Sequence, residues 1–302
     1  TAVHFTSFFS PLDAEREDSP VRLIAAQFDV PVVLRAKGLD FLDIIRNPRH
    51  GYGKNVNPCI DCRIYTFVKA KALMEEIGAS FLVTGEVAGQ RPMSQRRDAM
   101  RLIDKQSGCD GLVLRPLSAK ILPPTLPETQ GVIKREELLD VAGRGRKVQM
   151  RLAKELGLTG YSAPAGGCLL TDKNFSRRVR DLLADREDID QDELALLQIG
   201  RHVRIRPGLK VVVGRSEQEN LRLEELTGTS LAFRSADFPG PLVIARGEPT
   251  AEEEVLIGSI VQRYCKESRR GTAIEIIDPR SGERRIEVTD VASDSWLTER
   301  LV

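Results

Sequence analysis

A chain of 302 residues is long enough for two or three domains, each with its own core. Its hydrophobic content of 41%, charged content of 29% and net charge of +1 describe an ordinary soluble protein and exclude a globally basic nucleic-acid binder, so any such surface is local. No apolar run is long enough to cross a bilayer and no signal peptide is recognisable, and the cysteine usage argues for a reducing cytoplasm rather than a disulfide scaffold.

Ala2 to Phe5 reads as a strand, Pro20 to Phe28 as a helix, Val30 to Leu34 as a second strand and Leu39 to Ile45 as a short helix. After a glycine-bearing loop, Asn57 is a suitable N-cap and Pro58 a suitable first residue for a helix in which Ile60, Ile64, Phe67, Val68 and Ile77 recur at helical spacing, closed by Gly78. The strand Phe81 to Thr84, the helix Arg96 to Lys105 and the strand Leu112 to Leu114 follow. This alternation predicts an α/β domain with a doubly wound, mostly parallel sheet. Ligands in such sheets bind beyond the carboxyl ends of the strands, where Gly85 and Arg115 fall. Pro123, Pro124 and Pro127 mark a long loop, and Arg135 to Val141 and Arg146 to Leu156 read as helices. Phe175 to Leu183 and Glu193 to Ile199 read as helices separated by a solvated acidic turn, Asp185 to Asp192.

From about Gly200 the texture changes to a smaller α+β module. Val203 and Ile205 alternate with Arg204 and Arg206, Pro207-Gly208 turns the chain, and Leu209 to Val213 returns. The helix Gln218 to Leu226, the strand Leu242 to Ala245, the helix Glu252 to Lys266 and a hairpin around Asp278 to Gly282 complete it. The expected organisation is therefore residues 1–172, a helical connector 173–199 and a second domain 200–302.

Chemistry concentrates at Asn57-Pro58-Cys59-Ile60-Asp61-Cys62. Cys59 and Cys62 lie three residues apart on one helix face, and the positive end of a helix favours thiolate over thiol, priming both sulfurs as nucleophiles or metal ligands. A Cys-x-x-Cys taken alone is equally a redox pair, half of a zinc site or chance. A third cysteine, Cys168, stands in the small-residue stretch Ala163-Pro164-Ala165-Gly166-Gly167-Cys168, whereas Cys109 and Cys265 read as structural. Arg144, Arg146 and Lys147 open a basic stripe. Arg204, Arg206, Lys210 and Arg215 cluster at the later hairpin. Both stripes are candidate phosphate contacts, although such runs are usually just solvated.

Residues 1 to about 172 resemble the PP-loop ATP-dependent tRNA thiolation enzymes, the 4-thiouridine and 2-thiouridine synthases. The resemblance rests on Asn57 to Arg63, on Thr84-Gly85-Glu86 with Gly89-Gln90-Arg91-Pro92-Met93-Ser94-Gln95, and on Gly166-Gly167-Cys168. Residues 200 to about 270 resemble the RNA-binding module of the NFACT proteins, through Val213-Gly214-Arg215, Asn220 and Phe238 to Ile244. The first resemblance implies a tRNA sulfurtransferase in which ATP, with magnesium, adenylates a uracil oxygen and a sulfur nucleophile displaces AMP. It implies an ATP site at Gly85, Gln90, Arg91, Ser94 and Gln95, a tRNA partner, and a sulfide or persulfide carrier as donor. Cys62 and Cys168 then form a persulfide pair, or Cys59, Cys62 and Cys168 hold a [4Fe–4S] cluster as in a subset of these enzymes. Zinc with His50 as the fourth ligand is a lesser option. The alternatives are sulfur transfer to a small molecule and a non-catalytic cluster-bearing RNA binder; oligomeric state stays open. The family's Ser-Gly-Gly-x-Asp-Ser phosphate loop should precede a strand such as Ala2 to Phe5 and is not in the sequence. The residues given are therefore expected not to activate ATP by themselves.

Overall fold

The structure is a computed structural model and describes residues 1–9, 19–161, 168–266 and 271–302. It divides into two compact units, Thr1–Thr171 and Asp172–Val302.

In the first unit, β1 (Ala2–Thr6), α1 (Pro20–Ala26) and β2 (Val32–Ala36) form a strand–helix–strand unit whose strands are parallel, Ala2 facing Val32 and Thr6 facing Ala36. The second strand starts later than its apolar run predicts because the Val30 N–H is used to close the helix on Ala25 O at 3.0 Å. Then come α2 (Phe41–Arg46) and α3 (Cys59–Glu76), the latter ending at Ile77 and Gly78, whose φ of 68° suits glycine. A second parallel pair follows, β3 (Leu82–Val83), α4 (Arg97–Gln106) and β4 (Val113–Leu114). Among the described residues these are two separate two-stranded sheets rather than one continuous sheet. Between α3 and the second pair, Phe67, Ile103, Cys109 and Val113 form a small core, so Cys109 is structural as its setting predicts.

The helix expected at Arg135 to Val141 is only a turn, Arg135–Glu137. Leu139 and Val141 instead donate their N–H groups to Pro116 O and Leu117 O at 2.9 and 2.8 Å, and that pairing is incompatible with helix. The short α5 (Leu126–Thr129) has a full capping box from Thr125 and Glu128; α6 (Lys147–Glu155) follows, and a 3-10 turn at Leu169–Thr171 stands at the end of the unit.

The second unit begins with α7 (Lys173–Asp185) and α8 (Gln191–Leu196), capped by Asp172 and Asp190, so the expected connector is part of this unit. The chain continues through β5 (Arg201–Arg206), β6 (Leu209–Val213), α9 (Glu217–Glu225), β7 (Leu231–Ser235), β8 (Val243–Arg246), α10 (Ala251–Tyr264), β9 (Ala273–Asp278), β10 (Gly282–Glu287) and α11 (Asp294–Arg300). Its strands make a six-stranded antiparallel sheet in the order β10-β9-β7-β8-β6-β5. Alternation along β6 decides which side chain meets which layer. Val211 and Val213 pack with Ile257, Ile260 and Val261 of α10, while Val212 packs with Leu196 of α8 and Leu223 of α9. A sheet covered on both faces explains why every residue of β6 is buried, Lys210 included.

Candidate functional site

The first turn of α3 carries Cys59 and Cys62. Pro58, not Asn57, occupies the capping position, and Asn57 is buried behind it with its carbonyl accepting from Gly53 N–H at 2.8 Å. The loop before the helix is clipped by Asp61. Its carboxylate accepts the His50 backbone N–H at 3.0 Å and faces His50 Nδ1 at 2.9 Å. His50, the expected fourth zinc ligand, is thus committed to holding the loop and is not among the residues lining the cysteine cavity. Lys37, at the carboxyl end of β2, donates from Nζ to Cys62 Sγ at 3.1 Å and lies 4.8 Å from the Phe41 ring centre.

Cys168 reaches the same place from the far end of the unit. Thr171 Oγ1 donates to Cys168 O at 2.7 Å, and Asn55 Nδ2 donates to Thr171 O at 2.8 Å, so the loop that precedes α3 also fastens the segment bearing the third cysteine. Gly166 and Gly167 lie outside the described residues. Cys59, Cys62 and Cys168 line one cavity of about 670 Å³, together with Lys37, Arg63 and Arg91. All three are free thiols.

The expectation that a helix N-terminus primes both α3 sulfurs is corrected at Cys59. Burial pushes the Cys59 thiol up, Cys62 adds to the rise, and Arg91, Arg63 and a hydrogen bond from Asn57 offset it only in part. Burial likewise pushes Cys168 up to about 11, with the other two cysteines contributing. Among the described residues, no group of three His, Cys, Asp or Glu side chains is gathered closely enough to hold a metal ion.

A second recess of about 360 Å³ adjoins the first, and Arg63, Thr84, Arg91 and Arg146 line both. Gly85, Gln90, Arg91 and Gln95 of the expected nucleotide site border the recess, while Ser94 borders the cysteine cavity. The loop that carries them is tight: Gly89, with φ of 77°, donates to Gln95 O, and Gln95 donates to Arg91 O at 3.3 Å. Gly143 N–H donates to Ala88 O at 2.8 Å, which pins the segment leading into α6 and sets Arg146 and Gln149 on the recess wall. Beneath, the buried Glu86 carboxylate pairs with Arg63 at 2.9 Å and with Arg115 at 3.0 Å, and Arg115 grips Asp104 with two nitrogens. Lys37, Arg63 and Gln149 were not candidates from sequence; the one available signal was that Lys37 directly follows a strand end.

The cationic candidates divide. Arg144 and Lys147 are exposed at the start of α6. In the second unit the hairpin residues are bound internally. Arg204 makes ion pairs to Asp181 and Asp185 at 2.7 and 2.9 Å, Arg206 pairs with Glu253 at 2.6 Å, and Arg215 pairs with Glu219. Lys210 is buried, 3.4 Å from Asp181. Asp185, read as part of a solvated turn, also accepts the Gly208 N–H at 2.7 Å. Arg204 and Lys210 hold α7 to the sheet and Arg206 holds α10, while Arg215 pairs within the start of α9; Arg206 and Arg215 stay partly exposed in these pairs.

Part of the second unit is similar to a known domain family. Its residues 200–299 match the NFACT protein RNA binding domain, in agreement with the resemblance noted in its sequence. Among solved structures the chain aligns with the C-terminal part of the fibronectin/fibrinogen-binding protein from Streptococcus suis, at 14% identity over 80% of this chain and 95% of that one; the TM-score of 0.28 is too low to inform the fold. No curated protein matches the chain. Among the described residues no helix is long and apolar enough to cross a membrane.

Proposed function

We propose that the protein inserts sulfur into a uridine of tRNA in an ATP-dependent reaction, with the first unit as a PP-loop-type catalytic domain and the second as its RNA-binding domain. The observation that carries the reading is the convergence of Cys59, Cys62 and Cys168 on one cavity joined to an arginine-lined polar recess. The two parallel strand pairs with intervening helices are consistent with such a domain.

The donor set fits an iron–sulfur cluster better than zinc. Zinc would need a fourth ligand beside the three cysteines, and His50, the candidate for it, is held by Asp61 and does not line the cavity. A [4Fe–4S] cluster with one open iron takes three thiolates, which matches the three cysteines of the cavity, and Lys37, Arg63 and Arg91 would offset the negative charge it brings. Cys59, Cys62 and Cys168 would hold it, and its open iron would supply a binding place for sulfide. The chain's own residues have separate tasks. Arginines at the junction neutralise phosphate, Gly85 allows close approach at the strand end, and the apolar cavity wall keeps water from the activated carbon. Sulfur then bonds to the uracil carbon as the carbon–oxygen bond to AMP breaks, and AMP departs with the electron pair.

The Lys37–Cys62 hydrogen bond favours one second reading, in which Cys62 bears a persulfide and Cys168 releases the product by closing a disulfide, later opened by an external thiol. The test is thiolation of tRNA by the full natural chain with ATP and, in parallel, sulfide or a persulfide carrier, because only the carrier can pass sulfane sulfur to Cys62. Alanine at any of the three cysteines is expected to abolish product. Anaerobically prepared protein is expected to be brown, with about four irons per chain. A fully active Cys59→Ser variant would select the persulfide pair, and colourless protein with stoichiometric zinc would reject the cluster.

A further inference from the structure

Lys37 is an uncommon neighbour for a cysteine. Its Nζ donates to Cys62 Sγ at 3.1 Å, and among the described residues no carboxylate pairs with it, although a lysine drawn out of water ordinarily meets an acid. Both ends of the contact are fixed. The Lys37 backbone N–H donates to Thr6 O at 2.9 Å, at the end of the β1–β2 pair, and Nζ lies 4.8 Å from the centre of the Phe41 ring. That ring packs on Tyr65 of α3 with centres 5.2 Å apart, and Thr66 Oγ1 donates to Cys62 O at 2.7 Å. Lys37 and Cys62 both line the cavity, so a small oxidant reaches the sulfur while the nitrogen stays in contact with it. The other two thiols compete poorly for an oxidised Cys62. Burial pushes Cys59 up and Cys168 up to about 11, and disulfide closure proceeds through the thiolate.

We propose that the Lys37–Cys62 contact is an oxidative modification site, where peroxide closes a covalent cross-link between nitrogen and sulfur that external thiols reopen. In the first step the Cys62 sulfur attacks one peroxide oxygen and the O–O bond breaks. Sulfur gives up two electrons, the thiol proton leaves with the other oxygen as water, and Cys62 becomes a sulfenic acid. In the second step neutral Lys37 Nζ attacks that sulfur. The N–S bond forms, the S–O bond breaks, and the hydroxyl leaves as water with a proton from the amine. Reopening needs two equivalents of thiol: one displaces the amine, which takes up the thiol's proton, and the next reduces the resulting mixed disulfide. While closed, the link shields Cys62 from the irreversible sulfinic and sulfonic stages and withdraws it from the three-cysteine cavity. That last effect matters only through the sulfur chemistry proposed above; the cross-link itself does not rest on it.

The test treats the whole reduced, metal-free protein with hydrogen peroxide at about pH 8.5, where more of the lysine is neutral than near neutrality. The remaining thiols are then blocked and tryptic peptides mapped by mass spectrometry. The peptide Ala36–Arg46 is expected to be joined to Asn55–Arg63, at their summed mass with Cys59 blocked, less two hydrogens, and dithiothreitol is expected to part them. A joined pair heavier by one oxygen, from a second peroxide that inserts oxygen between nitrogen and sulfur and leaves as two waters, also supports the site. Lys37→Arg keeps the charge but offers no neutral amine, so the joined pair is expected to vanish and dimedone to label Cys62 instead. Cys59→Ser is expected to keep the join and Cys62→Ser to lose it. Disulfides among the three cysteines as the sole product, or a join that persists in Cys62→Ser, would overturn the proposal. Iron and sulfide offered without added thiol separate the failures. The cross-linked protein is expected to lose iron uptake and regain it after dithiothreitol. No uptake by the reduced protein either would sink the cluster and leave the cross-link standing, whereas a missing cross-link in protein that loads iron sinks only the modification site.

Discussion

Cys168 illustrates how position overrides residue type. A thiol held up to about 11 is ionised in only about one part in ten thousand at pH 7, so it is a poor nucleophile until something displaces its proton. Alkylation of Cys168 in the metal-free protein should therefore rise about tenfold per pH unit and level off near pH 11, as followed by mass spectrometry; a plateau near pH 8 would show that burial is not in control. In the cluster-bearing form proposed above, iron would supply the missing displacement, because a thiol that ligates a metal releases its proton to solvent. Arg115 shows the converse, a cation held between Glu86 and Asp104 with only 5% of its side chain exposed. Arg115→Ala leaves Asp104 without its cation and the buried Glu86 with Arg63 alone, and should cost about 3–5 kcal/mol in urea denaturation. The cysteines themselves were legible in the sequence, since three thiols in loops and helix starts are hard to read as core. Lys37 was not, because only folding sets the end of β2 against α3.

At the scale of elements, the basic hairpin β5–β6 shows where sequence reading loses information. Alternating arginines look like a surface for phosphate, but alternation fixes only the side of the strand, not what packs there. Here α7 supplies Asp181 and Asp185, and the charge is consumed in joining helix to strand. Arg204→Ala should thus lower the thermal midpoint of the second unit by several degrees before it changes RNA affinity; weakened RNA binding at unchanged stability would return the residue to the interface. His202 on the same strand is fully buried. Its Nε2 lies 3.0 Å from both Leu196 O and Ile199 O, and burial, then Lys210 and Arg178, hold its pKa well below 6.5. The unfolded chain takes up that proton first, so stability is full above about pH 6.5 and falls below it by up to about 1.4 kcal/mol per pH unit. Urea midpoints measured from pH 7 to pH 5 should fall for the wild type and stay flatter for His202→Gln. Helices with strong caps and apolar periodicity were readable within a residue or two. The turn at Arg135 was missed because long-range pairing with Pro116 and Leu117 decides it, and β7 because Leu231-Ala232-Phe233-Arg234-Ser235 carries neither a clear alternation nor a long apolar run.

Across the whole molecule, net charge of +1 leaves no general attraction to RNA, so binding must come from local cations and should weaken steeply as salt screens them and counterions cease to be released. A filter-binding series from low to high salt should give a straight log–log line with a slope set by a few phosphate contacts; a flat line would mean that bases, not phosphates, carry the affinity. The division falls at Thr171, next to the boundary expected at 172, whereas the change of texture at Gly200 misleads: the helices between look like a link, yet α8 packs on the second sheet and α7 is paired to its edge strand.

The latch between Asn55 and Thr171 also has a consequence in time. Two of the sulfurs leave the ribosome early, and the third waits until almost the whole first unit has emerged. A chain halted before that point carries Cys59 and Cys62 without the segment that brings Cys168 beside them. The three-cysteine cavity is therefore completed only when synthesis of the first unit is nearly done, and any group it holds would have to arrive after that.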